Sequence, residues 1–238
     1  MGGQVFKNAD STPATQRIMR DAVVPTVKWL EQLTGLSLID NMLGTTGRKE
    51  SSGDMDLAVD ADIISKDVLV QQLLTKGIPN TDIRKSGDSV HLKTPILGDA
   101  NNGYVQTDFM FGRPEWQRFA MVGSPEGSPF KGLHRHLLLA SIAKAQGMKW
   151  SYKNGLVNRE TNEIISQNPA EIAQLLIKGT PADMASVESI VAKIKLRPDY
   201  QQLVAQFKEE LTRDPQGPQL DNIQEGSSNW FRNWAVRL

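Results

Sequence analysis

The sequence lacks cysteine, long apolar runs and an excess of charge of either sign. The absence of cysteine excludes disulfides and thiolate metal sites, and it fits a reducing compartment. No run of about eighteen apolar residues is present, so no membrane-spanning helix is predicted, and the N-terminus lacks the apolar segment of a secretory signal. These absences predict a cytoplasmic protein that does not contact a membrane, with a nuclear or viral setting left open.

Positive and negative charges balance, with 27 Lys and Arg residues against 27 Asp and Glu residues. A protein that binds nucleic acid non-specifically is often basic overall, so this balance argues against a large footprint of that kind. One basic cluster is still present, formed by Lys131, His134, Arg135, Lys144, Lys149 and Lys153. The cluster fits a solvated helix face as well as it fits a contact with nucleic acid.

The most informative segment is acidic and alternating: Asp54-Met55-Asp56-Leu57-Ala58-Val59-Asp60. In an extended strand, alternation places Asp54 and Asp56 on one face and the intervening apolar residues on the other. Such a strand can pack on a core while it presents carboxylates, which are preferred ligands of hard cations such as Mg²⁺. The segment therefore predicts a metal-binding strand.

A third carboxylate, that of Asp108, interrupts the apolar strand predicted over residues 104–111. An unpaired carboxylate is costly to bury. Asp108 is therefore either solvated on an exposed sheet face or joined to Asp54 and Asp56 by a metal ion. The two other aspartates favour the second interpretation.

A short loop rich in Gly and Thr, Gly44-Thr45-Thr46-Gly47-Arg48, precedes the acidic strand. Its backbone N–H groups and the Arg48 guanidinium suit phosphate oxygens. A phosphate-binding loop followed by a metal-binding strand indicates nucleotidyl transfer.

The three histidines do not form a recognisable metal site. His134 and His136 are two residues apart in a predicted helix, so they point in different directions, and surface or DNA-facing roles are expected for both. His91 lies in a predicted strand and is expected to face solvent.

Helical and strand patterns follow one another along the chain, which predicts a mixed α/β fold. A first helix is expected from Thr12 as its N-cap, with a kink or break at Pro25. Further helices are predicted over residues 65–76, 133–146, 169–177, 181–195 and 198–211, and strands over residues 54–59, 89–94, 104–111, 150–157 and 163–165. The Gly/Ser/Pro-rich residues 123–132 mark a lobe boundary, and Trp230 and Trp234 are expected to pack onto the body of the protein.

The segment Glu50-Ser51-Ser52-Gly53-Asp54-Met55-Asp56-Leu57 resembles the signature of family X DNA polymerases. The wider nucleotidyltransferase superfamily shares only a Gly-Ser pair and the Asp-x-Asp, so the longer match is more specific. Further segments resemble the family's Tyr-Phe-Thr-Gly-Ser and Phe-Asn-x-x-x-Arg segments, the hairpin after them and the next helix: residues 119–124, 130–135, 147–157 and 169–172. The resemblance covers roughly residues 43–178, more than half of the chain.

The resemblance implies the roles of individual residues. Asp54, Asp56 and Asp108 would be the catalytic triad and would bind two Mg²⁺ ions about 3.5–4 Å apart, for which Mn²⁺ can substitute. Asp108 would also accept the proton of the attacking 3′-hydroxyl. The implied nucleotide-binding residues are Gly44, Thr45, Arg48, Ser52, Gly53, Gly123, Ser124 and Lys131, and the implied DNA-binding residues are Gln106 and Arg135.

The resemblance also implies a domain organisation. Its fold would be an α/β (α+β) nucleotidyltransferase palm, with a mixed β-sheet and flanking helices, plus a small helical thumb-like lobe. Residues 1–125 would form an N-terminal helix and the catalytic palm, residues 126–197 the thumb-like lobe, and residues 198–238 a C-terminal helix and tail.

The implied function is Mg²⁺-dependent addition of dNMP from a nucleoside triphosphate to the 3′-OH of a DNA primer on its template, with release of pyrophosphate. It is that of a minimal family X DNA polymerase, a family linked to DNA repair. The family's lyase and fingers regions have no counterpart before Gly44, so gap filling with a lyase step is not expected. Two alternatives stay open: the same chemistry on RNA, a small molecule or a protein hydroxyl, and a non-catalytic binding protein derived from such an enzyme.

Overall fold

The computed structural model describes residues 5–212 and 225–238 of the chain. The chain divides into two compact units, Met1–Phe119 and Ala120–Leu238. The fold is a mixed α/β fold with one four-stranded mixed sheet and two smaller antiparallel sheets, which confirms the predicted class. The predicted boundary at residue 125 lies close to the division between the units. Residues 198–212 and 225–238 are part of the second unit, and residues 213–224 of the predicted tail lie outside the described residues.

Within its described residues, the first unit contains six strands and three α-helices. Its strands are β1 (Ile18–Met19), β2 (Ser51–Ser52), β3 (Asp54–Asp60), β4 (Ile83–Ser86), β5 (Ser89–Pro95) and β6 (Tyr104–Gly112). Its helices are α1 (Arg20–Thr34), α2 (Lys66–Thr75) and α3 (Pro114–Ala120), the last of which ends at the first residue of the second unit.

The four-stranded sheet has the strand order β3-β6-β5-β4. Strand β3 pairs with β6 in parallel, whereas β5 is antiparallel to both β6 and β4. Strands β3 and β6, which form the parallel pair, carry the predicted acidic residues. The sheet therefore joins the Asp54 and Asp108 segments directly, without an intervening strand.

One face of this sheet forms the core of the first unit. The residues on it are apolar and almost fully buried, and they include Met55, Leu57, Val90, Leu92, Val105 and Phe109. Helix α1 contributes Val23, Val27 and Leu30 to the same core, and α2 contributes Leu69 and Leu73. The alternation read from the sequence is thus the alternation between a buried and an accessible sheet face.

The first helix starts later than predicted. The N-cap of α1 is Met19, not Thr12, and the helix runs through Pro25 to Thr34 without interruption. Asp10 explains the difference, because its carboxylate accepts hydrogen bonds from the backbone N–H of Thr12 (3.0 Å) and from the Thr12 hydroxyl. These bonds hold residues 10–12 in a turn that competes with helix formation.

Two other helices begin at or within one residue of their predicted starts, and a polar side chain caps each of them. Ser65 caps α2 by accepting a hydrogen bond from the N–H of Val68. Asn168 caps a helix of the second unit, Pro169–Ile177, by accepting hydrogen bonds from the N–H groups of Ala170 and Glu171. In both cases a short polar side chain binds N–H groups that have no partner within the helix.

The second unit combines helices with a small three-stranded antiparallel sheet. Its helices are α4 (Gly132–Ala145), α5 (Pro169–Ile177), α6 (Val187–Ile194), α7 (Tyr200–Thr212) and α8 (Ser228–Val236). Its strands are β7 (Met148–Ser151), β8 (Gly155–Asn158) and β9 (Ile164–Ser166).

An aromatic cluster packs α8 onto the rest of the second unit. Phe231 is buried and stacks on His134 of α4, with ring centroids 4.1 Å apart. Trp234 meets Phe130 edge-on at 4.6 Å. These contacts bear out the expected packing of the C-terminal aromatic residues. Among the helices within the described residues, none combines the length and the apolar character needed to cross a membrane.

Candidate metal centre

Three carboxylates meet on the accessible face of the four-stranded sheet. Asp54, Asp56 and Asp108 each offer one oxygen, and these oxygens all lie within 4.8 Å of one another. All three residues are partly buried. The structure therefore brings the three aspartates together as the sequence predicts, while their binding of metal stays a prediction.

The register of the parallel pair explains this convergence. Asp56 lies opposite Asp108, and Asp54 lies opposite Gln106. Neighbouring strands are about 4.8 Å apart, so side chains that share a face and a register row come close together. The period of two then keeps Asp54 beside Asp56 on that face.

The cluster perturbs the acidity of its central residue. The pKa of Asp56 is raised to about 8, first because burial disfavours the charged form and then because the carboxylates of Asp54 and Asp108 repel its charge. A bound cation offsets both effects, because it attracts all three carboxylates. The donor set of three carboxylates fits a hard divalent cation.

The loop of residues 43–48 lies directly against Asp56. The Asp56 N–H donates to the Thr46 hydroxyl at 2.9 Å, and the Leu43 N–H donates to the Asp56 carbonyl at 2.8 Å. Gly44 has a φ of +58°, and a Cβ added there would lie 3.5 Å from Asp56 Oδ2. The loop thus approaches the acidic cluster closely at a position that favours glycine.

The predicted phosphate-binding residues of the first unit lie in or beside this loop. Thr45 and Arg48 are exposed, whereas Ser52 is buried and donates its hydroxyl to the Thr45 carbonyl at 3.2 Å. Gly53 separates β2 from β3. The Ser52 hydroxyl therefore holds the loop in this structure, and the nucleotide-binding roles of Gly44, Thr45, Arg48, Ser52 and Gly53 stay predictions.

Two polar residues contact Asp108 and correct two expectations. Gln106 is only 3% exposed, and its Nε2 donates to Asp108 Oδ1 at 2.8 Å, so a direct contact between Gln106 and DNA does not fit this burial. His91 was expected to face solvent, but its side chain is 14% exposed and its Nδ1 lies 2.7 Å from Asp108 Oδ1. Both side chains are directed at the third carboxylate instead.

Three predicted nucleotide-binding residues belong to the second unit. Gly123 and Ser124 are partly buried in the segment that precedes α4. Lys131 is exposed at the start of α4, where its N–H donates to His134 Nδ1 at 3.1 Å. Their contacts with a nucleotide stay predictions.

The expected contact of Arg135 with DNA does not fit its environment. Arg135 is 1% exposed, and its guanidinium donates to the carbonyls of Met184 (2.6 Å) and Ala120 (2.9 Å). Burial lowers the pKa of Arg135 to about 10. Arg135 therefore satisfies buried backbone carbonyls inside the second unit. His134, also expected at the surface, is 2% exposed.

Sequence reasoning missed Thr46 and His91. Thr46 is 3% exposed and bonds to Asp56, yet the loop pattern alone does not tell which of two adjacent threonines turns inward. His91 leaves a clearer signal, because β5 and β6 follow each other in the chain and are separated only by residues 96–103. Pro95 pairs with Tyr104, which places His91 opposite Asp108 four residues further along each strand.

A comparison with protein-family models finds no family that matches this chain, and a comparison with curated protein sequences finds no match. The features of the molecule that bear on its function are the acidic cluster, the loop beside it and the motif that contains them.

Proposed function

We propose that this protein is a divalent-metal-dependent nucleotidyltransferase that adds a nucleotide to the 3′-hydroxyl of DNA and releases pyrophosphate. The observation that carries the proposal is the convergence of Asp54, Asp56 and Asp108 within 4.8 Å of one another. The glycine-containing loop against Asp56 supports it, because nucleotidyl transfer needs a place for phosphates beside the metal ligands.

In the proposed reaction, the hydroxyl oxygen forms a bond to the α-phosphorus while the bond from that phosphorus to the bridging oxygen breaks. Pyrophosphate leaves with the electron pair of the broken bond, and Asp108 accepts the hydroxyl proton. Mg²⁺ held by the three carboxylates would supply positive charge that stabilises the charge developing on the phosphoryl oxygens. The loop residues Gly44, Thr45 and Arg48 would hold the triphosphate.

The protein itself contributes mainly by positioning the groups that bind metal and substrate. The strand pair β3–β6 fixes the three carboxylates on a rigid sheet, so they need not be gathered when substrate binds. The pKa of Asp56 is raised first by burial and then by repulsion from Asp54 and Asp108. A cation held by the three carboxylates would offset both effects, and its binding would stabilise the folded protein.

A primer-extension assay tests the proposal. The protein is incubated with a labelled DNA primer on its template, the four dNTPs, and Mg²⁺ or Mn²⁺. The expected result is primer elongation with pyrophosphate release, lost in Asp56→Asn. Asp60→Asn is the matched control, because Asp60 lies at the far end of the same strand and outside the acidic cluster. Failure to transfer a nucleotide to any acceptor, with either metal, would contradict the proposal.

One observation favours a different acceptor with the same chemistry. Both residues predicted to contact DNA, Gln106 and Arg135, are buried in contacts within the protein. The second candidate is therefore transfer to RNA, a small molecule or a protein hydroxyl. Parallel assays with an RNA primer decide between them, since activity on RNA with none on DNA would support the second candidate. A non-catalytic binding protein would bind nucleotide without any metal-dependent turnover.

A further inference from the structure

Asp108 is held by two hydrogen bonds on the same oxygen. His91 Nδ1 lies 2.7 Å from Asp108 Oδ1, and Gln106 Nε2 donates to that oxygen at 2.8 Å. His91 reaches it from the next strand, because β5 places His91 directly opposite Asp108. Both side chains of the His91–Asp108 pair are largely shielded from water, at 14% and 15% exposure.

The backbone fixes the orientation of the Gln106 amide. The N–H of Val5 donates to Gln106 Oε1 at 2.9 Å. Since a backbone N–H can only donate, the amide oxygen must face Val5 and the amide NH₂ must face Asp108. The segment of residues 5–16 is also hydrogen-bonded to the first residue of β6, because the Gln16 N–H donates to the Tyr104 carbonyl at 2.7 Å. It therefore holds Gln106 in place.

His91 Nδ1 lies 2.7 Å from a carboxylate oxygen of Asp108. An Asp108 that binds metal is ionised, and a carboxylate can only accept, so His91 then donates to it from Nδ1. With the bonds from His91 and Gln106, Asp108 Oδ1 has a donor for each of its two lone pairs. The other oxygen, Oδ2, keeps its lone pairs for a further ligand.

We propose that His91 is a positioning residue that, together with Gln106, fixes the Asp108 carboxylate so that Oδ2 is the oxygen presented to the metal. The inference rests on the proposed metal site but is independent of the nature of the acceptor. His91 acts through Asp108 and touches neither nucleotide nor acceptor. Partners of this kind orient a metal ligand, and their loss commonly costs about 10- to 100-fold in metal affinity.

Two substitutions of His91 distinguish a role in orienting the Asp108 carboxylate from a role in packing. His91→Leu removes the donor, whereas His91→Asn keeps an N–H group near the place of Nδ1. Ser89→Ala is the matched control, because Ser89 lies on the same face of β5, opposite Met110 rather than Asp108. Mn²⁺ affinity is measured for each nucleotide-free protein from the electron paramagnetic resonance signal of free Mn²⁺. Steady-state kinetics give kcat and KM for the nucleotide.

The expected result is a loss of Mn²⁺ affinity of about 10-fold or more in His91→Leu, substantial recovery in His91→Asn, and no change in Ser89→Ala. We also expect kcat to fall more than KM changes, since nucleotide binding does not involve His91 directly. Wild-type Mn²⁺ affinity in a folded His91→Leu protein would overturn the inference. If Asp108→Asn also binds Mn²⁺ like the wild type, the metal site itself fails as well.

A measurement on the wild-type protein covers the case in which His91→Leu does not fold. Nitrogen-15 NMR of the histidine side chains in the metal-free protein reports which ring nitrogen carries the proton. We expect a protonated, hydrogen-bonded Nδ1 for His91. A His91 with an unprotonated Nδ1 would overturn the inference, because such a ring cannot donate to Asp108.

Discussion

The two faces of the four-stranded sheet differ sharply although the same strands build both. On one face, Leu57 and Phe109 are fully buried against α1 and α2. On the other, their chain neighbours Asp56 and Asp108 are partly buried and lie beside each other. A single step along a strand moves from the hydrophobic core to a cluster of acidic side chains.

The two faces show that one sheet can provide stability on one side and chemistry on the other. Burial of apolar side chains supplies about 25 cal/mol per Å², and it fixes the strands in register. That register also places Asp56 where burial, and then repulsion from the carboxylates of Asp54 and Asp108, raises its pKa to about 8. The apolar face therefore sustains an arrangement that the acidic face by itself opposes.

The largest effect is expected from Asp108→Asn, which breaks the acidic face alone. Loss of one carboxylate should remove several kcal/mol of transition-state stabilisation, or roughly a thousandfold in the rate of nucleotide transfer. Folding should change little, because Asn keeps the size of the side chain. Primer extension and urea unfolding measure the two quantities. A rate near that of the wild type would exclude Asp108 from the site.

Phe109→Ala changes the apolar face at the residue that follows Asp108 in β6. Phe109 is 0% exposed, so its truncation should lower the free energy of unfolding by about 3–5 kcal/mol. Urea denaturation at 25 °C measures this change. The fraction that remains folded should still bind Mn²⁺, and loss of metal affinity without loss of stability would contradict the separation of the two faces.

The pH dependence of stability tests whether the acidic face opposes folding. The folded pKa of Asp56 is raised to about 8 from an ordinary 3.8. Between these values the unfolded chain has released the Asp56 proton and the folded protein retains it, so stability must fall as the pH rises. One proton contributes about 1.4 kcal/mol per pH unit, which gives a fall of up to about 2.8 kcal/mol from pH 5 to pH 7.

The control for this measurement is Asp56→Asn, which cannot titrate. We expect the metal-free wild type to lose stability relative to this variant as the pH rises, and saturating Mg²⁺ to remove the difference. Parallel stability curves for the two proteins would show that the acidic face does not strain the fold.

The smallest effect is expected from Gly44→Ala, which tests the loop against Asp56. An alanine in the left-handed region costs roughly 1–2 kcal/mol, and the added Cβ would lie 3.5 Å from Asp56 Oδ2. Gly87→Ala is the matched control, because Gly87 has a φ of +52° and no atom within 4 Å of the added Cβ. Both should lose similar stability, but only Gly44→Ala should also weaken nucleotide binding in an equilibrium titration.

The acidic face was predictable in outline because strand alternation is a local property. Asp54 and Asp56 share a face whichever strand lies beside them, and Asp108 shares a face with Gln106 for the same reason. The pairing of His91 with Asp108 depends instead on the register of two strands, which the turn between them sets. The contact of Val5 with Gln106 joins residues far apart in the chain, and no local pattern encodes it.

The helices show the same division between local and distant causes. Ser65 and Asn168 cap their helices through bonds to residues two or three positions away, and both starts were predictable. The burial of Arg135 was not, because it depends on carbonyls of Met184 and Ala120 that only the folded second unit brings near. A basic residue in a cluster looks the same in sequence whether it binds phosphate or a buried carbonyl.

The most direct test of the central claim is anomalous diffraction from crystals of the protein soaked with Mn²⁺ and a nucleoside triphosphate. We predict anomalous peaks between the carboxylates of Asp54, Asp56 and Asp108, with the triphosphate beside the loop of residues 43–48. A map in which the nucleotide is bound but no manganese lies among these three side chains would contradict the account.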